Sequence, residues 1–201
     1  MVEVRSYAAP TVDEREILRY AGVRAEVEEL KPLLLECLQE AKPLLSYRVC
    51  FTRCAVRVGA NYVDFDFGRI ESFSLARRLE GCERAVIFAA TLGLGLDRLI
   101  ARYGTVSPGK AFLLSAIGDE RVEALCDLFC RELAAEHALL RPRFSAGYGD
   151  LPLSVQREIF SVLDCPRQIG LSLNESLLMS PSKSVTAIVG IEKEGCKSLN
   201  S

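Results

Sequence analysis

A long helical pattern near the middle of this 201-residue chain constrains the fold more than any other feature. Ser107 supplies an N-cap and Pro108 a first-turn proline, and the pattern continues to about His137. At 1.5 Å per residue such a helix spans ~45 Å, enough to cross a domain of this size. Its core-facing positions recur at helical spacing: Phe112, Leu113, Ala116, Ile117, Val122, Leu125, Cys126, Phe129, Cys130 and Leu133. Gly118 interrupts this stripe, which predicts a close packing neighbour or a bend.

Strand patterns lie on both sides of this helix in the sequence. Tyr47–Val58 and Tyr62–Phe67 are rich in β-branched and aromatic residues and are separated by a turn at 59–61, so they predict a hairpin. The run Arg84–Ala90 is almost continuously apolar, which is typical of a strand covered on both faces. Ser184–Ile191 predicts a final strand. Strands and helices therefore mix without regular alternation, which indicates an α+β fold around a largely antiparallel sheet.

Shorter helical patterns flank these strands. Pro32 lies within one of them and predicts a kink or a later start of that helix. Ser172 and Glu175 have capping-box spacing and predict a short helix after them. Thr11 is the predicted N-cap of the first helix. The predicted shorter helices cover Asp13–Ala21, Glu26–Ala41, Ser72–Leu79, a segment ending near Tyr103, Ser154–Asp164 and Glu175–Met179.

The charge and hydropathy of the chain exclude several classes of protein. Lys and Arg total 25 against 27 Asp and Glu, and no basic block stands out, so we expect no nucleic-acid partner. No apolar run reaches the ~18 residues that a membrane span needs, so no membrane association is expected. The first residues lack the basic-then-apolar arrangement of a signal peptide. These features predict a cytoplasmic protein.

The eight cysteines do not follow a disulfide or zinc pattern. No Cys-x-x-Cys is present, and the chain has one histidine, His137. Cys50 and Cys54, like Cys126 and Cys130, are four residues apart, so each pair could share one face of its element. Buried reduced thiols are the favoured interpretation, a metal site the alternative. Cys196, near the end of the sequence, is an exception to this interpretation.

The segment Arg141–Asp150 joins two helical patterns and is rich in residues that interrupt them. Its glycines permit positive φ, and its proline fixes φ and removes a donor, so the backbone must adopt special angles. Arg143 and Tyr148 therefore project from a constrained turn, where binding groups often lie. A plain helix-to-helix connector and a binding loop both remain open at this point.

Three motifs carry a resemblance to a known family. They are Arg143-x-Ser-x-Gly-Tyr148, the segment Leu173-Asn-Glu-Ser-Leu-Leu-Met-Ser-Pro181, and Asp119-x-x-x-Glu123-Ala. Together they resemble the activation (reactivation) domain of cobalamin-dependent methionine synthase, here in a stand-alone form. The resemblance implies a C-shaped α+β domain whose twisted, largely antiparallel sheet is flanked by helices, including one long helix.

The resemblance also implies how the chain is organised. We expect a single domain over residues 1–201. Residues 1–83 would form an N-terminal part with helices and a hairpin, 84–191 the part that matches the family best, and 192–201 a tail. A chain of 201 residues leaves no room for a cobalamin-binding module as well, so the corrinoid is expected on a separate protein.

The site that the resemblance implies is a pocket for S-adenosylmethionine. Arg143 would bind the ligand carboxylate, and Glu123 would contact the ligand from the long helix. Backbone at Ser145 and Gly147 would approach the adenosyl group, with Tyr148 beside it. No residue is expected to act as a general acid, general base or metal ligand. Family members also use an N-terminal aspartate and a tyrosine past the final strand; neither has a clear counterpart here, and the candidates for the aspartate are Asp13, Asp64 and Asp66.

The implied function is reductive reactivation in methionine biosynthesis. Family members present S-adenosylmethionine to inactive cob(II)alamin, which is reduced by one electron and methylated. The expected partners are therefore a cobalamin-binding methionine synthase or related corrinoid protein, and a reductant such as flavodoxin or ferredoxin. As the activation component, the chain would take part in a methyltransferase reaction. The alternatives are a non-catalytic module that binds S-adenosylmethionine or a corrinoid protein, and a thiol or metal protein.

Overall fold

The computed structural model describes residues 1–23, 28–136 and 139–192. Within these ranges the strands are β1 (Glu3–Ser6), β2 (Arg48–Val58), β3 (Tyr62–Phe65), β4 (Gly68–Glu71), β5 (Cys82–Thr91), β6 (Ser172–Leu173), β7 (Met179–Ser180) and β8 (Ser184–Glu192). The α-helices are α1 (Glu14–Tyr20), α2 (Lys31–Ala41), α3 (Phe73–Arg78), α4 (Leu94–Val106), α5 (Pro108–Glu136), α6 (Val155–Leu163) and α7 (Cys165–Ile169). Short 3-10 turns at Glu28–Leu30 and Lys42–Leu44 flank α2.

A single sheet organises the domain, with strand order β4-β3-β2-β5-β8 and β1 also paired to β2. Every pair in it is antiparallel. The long strand β2 pairs with two strands along one edge: its first part pairs with β1 and its end with β3. Its other edge pairs with β5. The predicted α+β class with a largely antiparallel sheet is confirmed, as is the predicted hairpin.

The sheet separates two apolar cores, one on each face. In β5, side chains alternate between them: Val86 and Phe88 face the core shared with α1, α2, α4 and α5, whereas Ala85 and Ile87 face the core shared with α3, α6 and α7. All four side chains are fully buried. Because period-2 alternation places successive side chains on opposite faces, a strand covered on both sides must be apolar throughout. This explains the continuous apolar run and confirms its interpretation.

Helix α5 lies across one face of the sheet and has 29 residues, close to the predicted extent. Phe129 on this helix contacts Phe51 of β2 and Phe88 of β5, with ring centroids 5.0 and 4.9 Å apart. A Cβ at Gly118 would lie 2.7 Å from side-chain atoms of Leu96 and Lys183. Of the two predictions made for this glycine, a close packing neighbour is therefore correct.

The predicted helix at Glu175–Met179 is wrong. Those residues instead belong to a small hairpin formed by β6 and β7, with Leu177 at a positive φ of 63°. The Asn174 side-chain oxygen accepts a hydrogen bond from the Leu178 N–H at 2.9 Å, and the Asn174 carbonyl accepts one from the Leu177 N–H at 3.0 Å. Such local bonds from an asparagine offer the backbone an alternative to a helix.

Several element boundaries differ from the prediction. Asp13, not Thr11, caps α1, because its carboxylate accepts hydrogen bonds from the N–H groups of Arg15 and Glu16. Helix α2 starts at Lys31 with Pro32 in its first turn, so the later start is correct. The sequence patterns did not predict β1, β4, β7 or α7. Residues 193–201, including Cys196, lie outside the described residues, as do 24–27, 137 and 138.

Six of the seven described cysteines are buried. Burial disfavours the charged thiolate and raises the pKa of both Cys37 and Cys54 to about 11. Among the described residues, no cluster of three or more His, Cys, Asp or Glu side chains is arranged to hold a metal ion. None of the helices in the described ranges has the length and apolar character required to cross a membrane.

Candidate functional site

The chain after α5 runs along the edge of β8 that faces away from β5. The Arg141 and Phe144 N–H groups donate to the carbonyls of Gly190 and Ile188, both at 2.9 Å, and the Ile188 N–H donates back to Phe144 at 2.8 Å. These bonds hold residues 141–144 in an extended path beside the sheet. The predicted binding loop therefore begins on a rigid support, and Arg143 is directed at α5.

Arg143 forms two ion pairs with carboxylates of α5. Its Nη1 donates to Asp127 and its Nη2 to Glu123. The two carboxylates are four residues apart, so they lie one turn apart on one face of the helix. Burial lowers the pKa of Arg143, but hydrogen bonding to Asp127 and the charge of Glu123 more than offset this, and the pKa lies above its ordinary value. All three side chains remain partly accessible, Arg143 at 27%.

These three side chains lie on the wall of a cavity of about 1510 Å³. The other walls are α1, the start of α2 and the segment 5–13, which comprises the end of β1 and the connection to α1. Carboxylates outnumber cations on the described walls. The carboxylates belong to Asp13, Glu14, Glu16, Glu28, Glu120, Glu123, Asp127 and Glu132. The cations belong to Arg5, Arg15, Lys31, Arg131 and Arg143. An acidic balance of this kind favours a ligand that carries positive charge.

A buried ion pair on α5 holds the N-terminal wall in place. Arg121 is 1% exposed and Glu120 is 4% exposed, and the two pair with each other. The Arg121 guanidinium also donates to the carbonyls of Pro10 and Thr11, each at 2.7 Å, while Glu120 accepts from the Asp13 N–H at 3.2 Å. Residues 8–13 have no regular secondary structure, so these contacts define their path along the cavity.

Two tyrosines give the cavity aromatic surface. The Tyr7 hydroxyl donates to Glu132 at 2.7 Å, and burial together with this carboxylate raises the pKa of Tyr7. Tyr20, at the end of α1, has a pKa raised by burial and by the charge of Glu123. Both hydroxyls therefore remain protonated at neutral pH.

The structure brings together two of the five predicted ligand-binding residues, Glu123 and Arg143. Among the described residues, the cavity lining includes none of Ser145, Gly147 and Tyr148. These three form a turn: the Gly147 N–H donates to Leu151 at 2.9 Å, and the Tyr148 side chain is 67% exposed. Their part in ligand binding stays a prediction.

The candidate aspartates are also separated by the fold. Asp13 lies on the cavity wall, at the N-terminus of α1. Asp64 on β3 forms an ion pair with Arg69 at 2.7 Å, and Asp66 lies in the turn between β3 and β4. Of the three, Asp13 is therefore the one positioned to meet a ligand in this cavity.

Sequence reasoning missed Asp127 and the pair Glu120–Arg121. Asp127 had a detectable signal, because it follows Glu123 by one helical turn. The buried pair had none, since adjacent charged residues in a helix normally face solvent. Only the packing of residues 8–13 over α5 explains why they are buried.

Asp150 ends the loop at residues 141–150 and anchors it to α3. Its carboxylate accepts hydrogen bonds from the Ser72 hydroxyl at 2.7 Å and from the N–H groups of Phe73 and Ser74 at 2.7 and 3.0 Å. These donors, led by the Ser72 hydroxyl, hold the pKa of Asp150 well below its usual range. The charge of Asp150 therefore stabilises the folded state at neutral pH.

We expect Asp150→Ala to lower the midpoint of urea unfolding at neutral pH. Because the folded-state pKa is depressed, this stabilisation is complete above the unfolded-state pKa of about 3.9 and is lost as the pH falls through the folded-state value. The midpoints of variant and wild type should therefore converge as the solution is acidified below about pH 4. A difference that stays constant through this range would show that the carboxylate charge does not contribute.

The fold and the cavity define the class of protein. It is an α+β protein in which Arg143 contacts the long helix α5 at the wall of an acidic cavity. No family model matches the chain, and no curated sequence matches it.

The fold is similar to that of a solved structure, a crystal structure of the MetH reactivation domain bound to AdoHcy. The TM-score is 0.70 at 14% sequence identity, and the alignment covers 96% of this chain and 79% of that one. At this identity the similarity establishes the fold.

Proposed function

We propose that this protein binds S-adenosylmethionine in the acidic cavity and serves as a reactivation module for a cobalamin-dependent methionine synthase or related corrinoid methyltransferase. The observation that carries the proposal is the cluster of Glu123, Asp127 and Arg143 on the cavity wall. A similar fold in a domain crystallised with AdoHcy supports it.

The charges of the cluster are complementary to those of the ligand. An amino-acid group carries a carboxylate and an ammonium side by side, which match a guanidinium beside carboxylates. Arg143 has five N–H donors, and its two ion pairs leave further donors for a ligand carboxylate. Glu123 and Asp127 would accept from the ammonium, and the excess of carboxylates on the walls would favour the sulfonium. Tyr7 and Tyr20 offer aromatic surface for adenine.

The role of the chain would be binding and positioning. The corrinoid and its cobalt would be held by a separate partner protein, and the reduced cobalt would supply the nucleophile that takes the methyl group, with S-adenosylhomocysteine as the other product. The sulfonium carries its own leaving group, the neutral thioether of S-adenosylhomocysteine, so this chain needs no general acid or base. Flavodoxin or ferredoxin is the proposed electron donor. Ser145, Gly147 and Tyr148 form a turn in which Gly147 and Tyr148 are exposed, where a partner could meet them.

Calorimetric titration with S-adenosylmethionine tests the ligand. We expect the wild type to bind and Arg143→Ala to lose about 2–5 kcal/mol of binding free energy, because a charged hydrogen-bond partner is removed. Arg98→Ala is the matched control, since it deletes the same charge from an exposed position on α4, away from the cavity. It should bind like the wild type.

Two results would contradict this site. Equal binding by Arg143→Ala and the wild type would place the ligand elsewhere. An absence of binding, both alone and with a corrinoid partner present, would refute the ligand. If the ligand binds, single turnover with a reduced cobalamin protein separates a reactivation module, which supplies the methyl group, from a non-catalytic module, which leaves cobalt unmethylated.

A further inference from the structure

A second cavity, of about 450 Å³, lies between α3 and the start of the binding loop. Arg77 and Arg78 enter it from α3, and Arg141 enters it from the segment beside β8. Phe73 and Phe144 supply aromatic surface. The volume lies in the range of small-molecule sites, about 300–1,000 Å³.

The positive charge of this cavity is poorly compensated. Among the described residues, the guanidinium of Arg77 has no ion-pair or hydrogen-bond partner, and Arg78 forms no ion pair but lies over the Phe144 ring at 5.6 Å. Arg141 alone has a carboxylate neighbour, Glu192 at 2.9 Å, and donates to the Glu80 carbonyl at 3.0 Å. The described part of the lining contains no carboxylate.

In the part of the chain that the structure describes, the carboxylate of Asp150 forms no ion pair with these arginines. Asp150 follows Gly149, which lines the cavity, but its oxygens accept three hydrogen bonds from the first residues of α3. Arg77 and Arg78 line the cavity without a paired carboxylate among the described residues, and an anion bound between such like charges reduces their repulsion.

We propose that this cavity is a binding site for a small phosphate ester that carries a planar ring. A phosphate dianion has three terminal oxygens and can meet guanidinium groups from two different elements, whereas a carboxylate has two oxygens and is satisfied by one arginine fork. Phe73 is 58% exposed, so its ring is not part of the core. Together with Phe144 it offers aromatic surface on which a planar ring could stack. A nucleoside monophosphate has this combination of groups and this size.

Titration with uridine monophosphate tests the proposal, because uridine monophosphate lacks the adenine and the amino-acid group that the acidic cavity would recognise. We expect wild-type binding, and affinity lowered about tenfold or more in Arg77→Ala/Arg78→Ala, since two charged hydrogen-bond donors to the phosphate are removed. Uridine and inorganic phosphate should each bind more weakly than the ester. Arg143→Ala should bind like the wild type, which separates this site from the proposed function.

A charge-matched control distinguishes a site from general attraction. Arg98→Ala/Arg102→Ala removes the same two charges from exposed positions of α4 and should leave affinity unchanged. Three results would overturn the proposal. They are a wild type that binds neither uridine monophosphate nor phosphate, an equal loss of affinity in both double variants, and a loss of affinity in Arg143→Ala alone. Circular dichroism of each variant verifies folding, and an unfolded double variant is replaced by Arg77→Gln/Arg78→Gln.

Discussion

Replacing Arg121 by methionine should lower the free energy of unfolding by about 3–5 kcal/mol. Arg121 is the largest of the fully buried side chains, and its pairing partner Glu120 is 4% exposed. Methionine keeps most of the apolar volume but leaves a buried carboxylate without its counter-charge. It also removes the two hydrogen bonds to the carbonyls of Pro10 and Thr11. Since domains of this kind are stable by about 5–15 kcal/mol, the variant would retain only part of its stability.

Urea unfolding followed by circular dichroism measures this effect. The control is Glu120→Gln/Arg121→Met, which removes both charges. Because no uncompensated buried charge remains, the double variant should be more stable than Arg121→Met alone. Hydrogen exchange should also show faster opening of residues 8–13 in the single variant, since Arg121 holds them to α5. A double variant no more stable than the single one would indicate that the unpaired charge of Glu120 is not the cause.

Replacing Phe129 by alanine should lower the free energy of unfolding by about 3–5 kcal/mol. Phe129 is fully buried and links α5 to the two central strands through Phe51 and Phe88. The substitution loses the transfer free energy of the ring, leaves a cavity, and removes two aromatic contacts. We expect a fall in the urea midpoint without loss of the strand signal in circular dichroism.

Phe112→Ala provides a control on the same helix. The prediction that Phe112 faces the core is wrong: it is 59% exposed, so the same chemical change should alter stability by less than about 0.5 kcal/mol. The comparison tests whether α5 presents Phe129, and not Phe112, to the sheet. Similar losses in the two variants would contradict this orientation of the helix.

The sequence alone was sufficient for features that arise from local periodicity. The long helix, the hairpin of β2 and β3 and the doubly covered strand β5 each repeat one pattern over many residues, so their signal accumulates. The α+β class followed from the order of these patterns. The short helix predicted at Glu175–Met179 failed because it depended on a single capping-box spacing, and the hydrogen bonds of Asn174 favoured a turn instead.

The motifs singled out Glu123 and Arg143 separately, at positions 20 residues apart in the sequence. Their contact depends on the extended segment 141–144, which pairs with β8, a strand more than 40 residues further along the chain. The same pairing leaves Tyr148 in an exposed turn and brings Arg141 beside Arg77 and Arg78 at the second cavity. No local pattern carries this information.

What the sequence determined by itself is therefore the set of elements and the class of fold, because hydrophobic periodicity acts over neighbouring residues. Only the tertiary structure decided which charges are buried and which meet. Arg121 and Glu120 follow one another in a helix, where a pair of charges ordinarily faces water. They are buried because residues 8–13 cross over them. Their hydrogen bonds hold that segment in place, where it forms one wall of the acidic cavity.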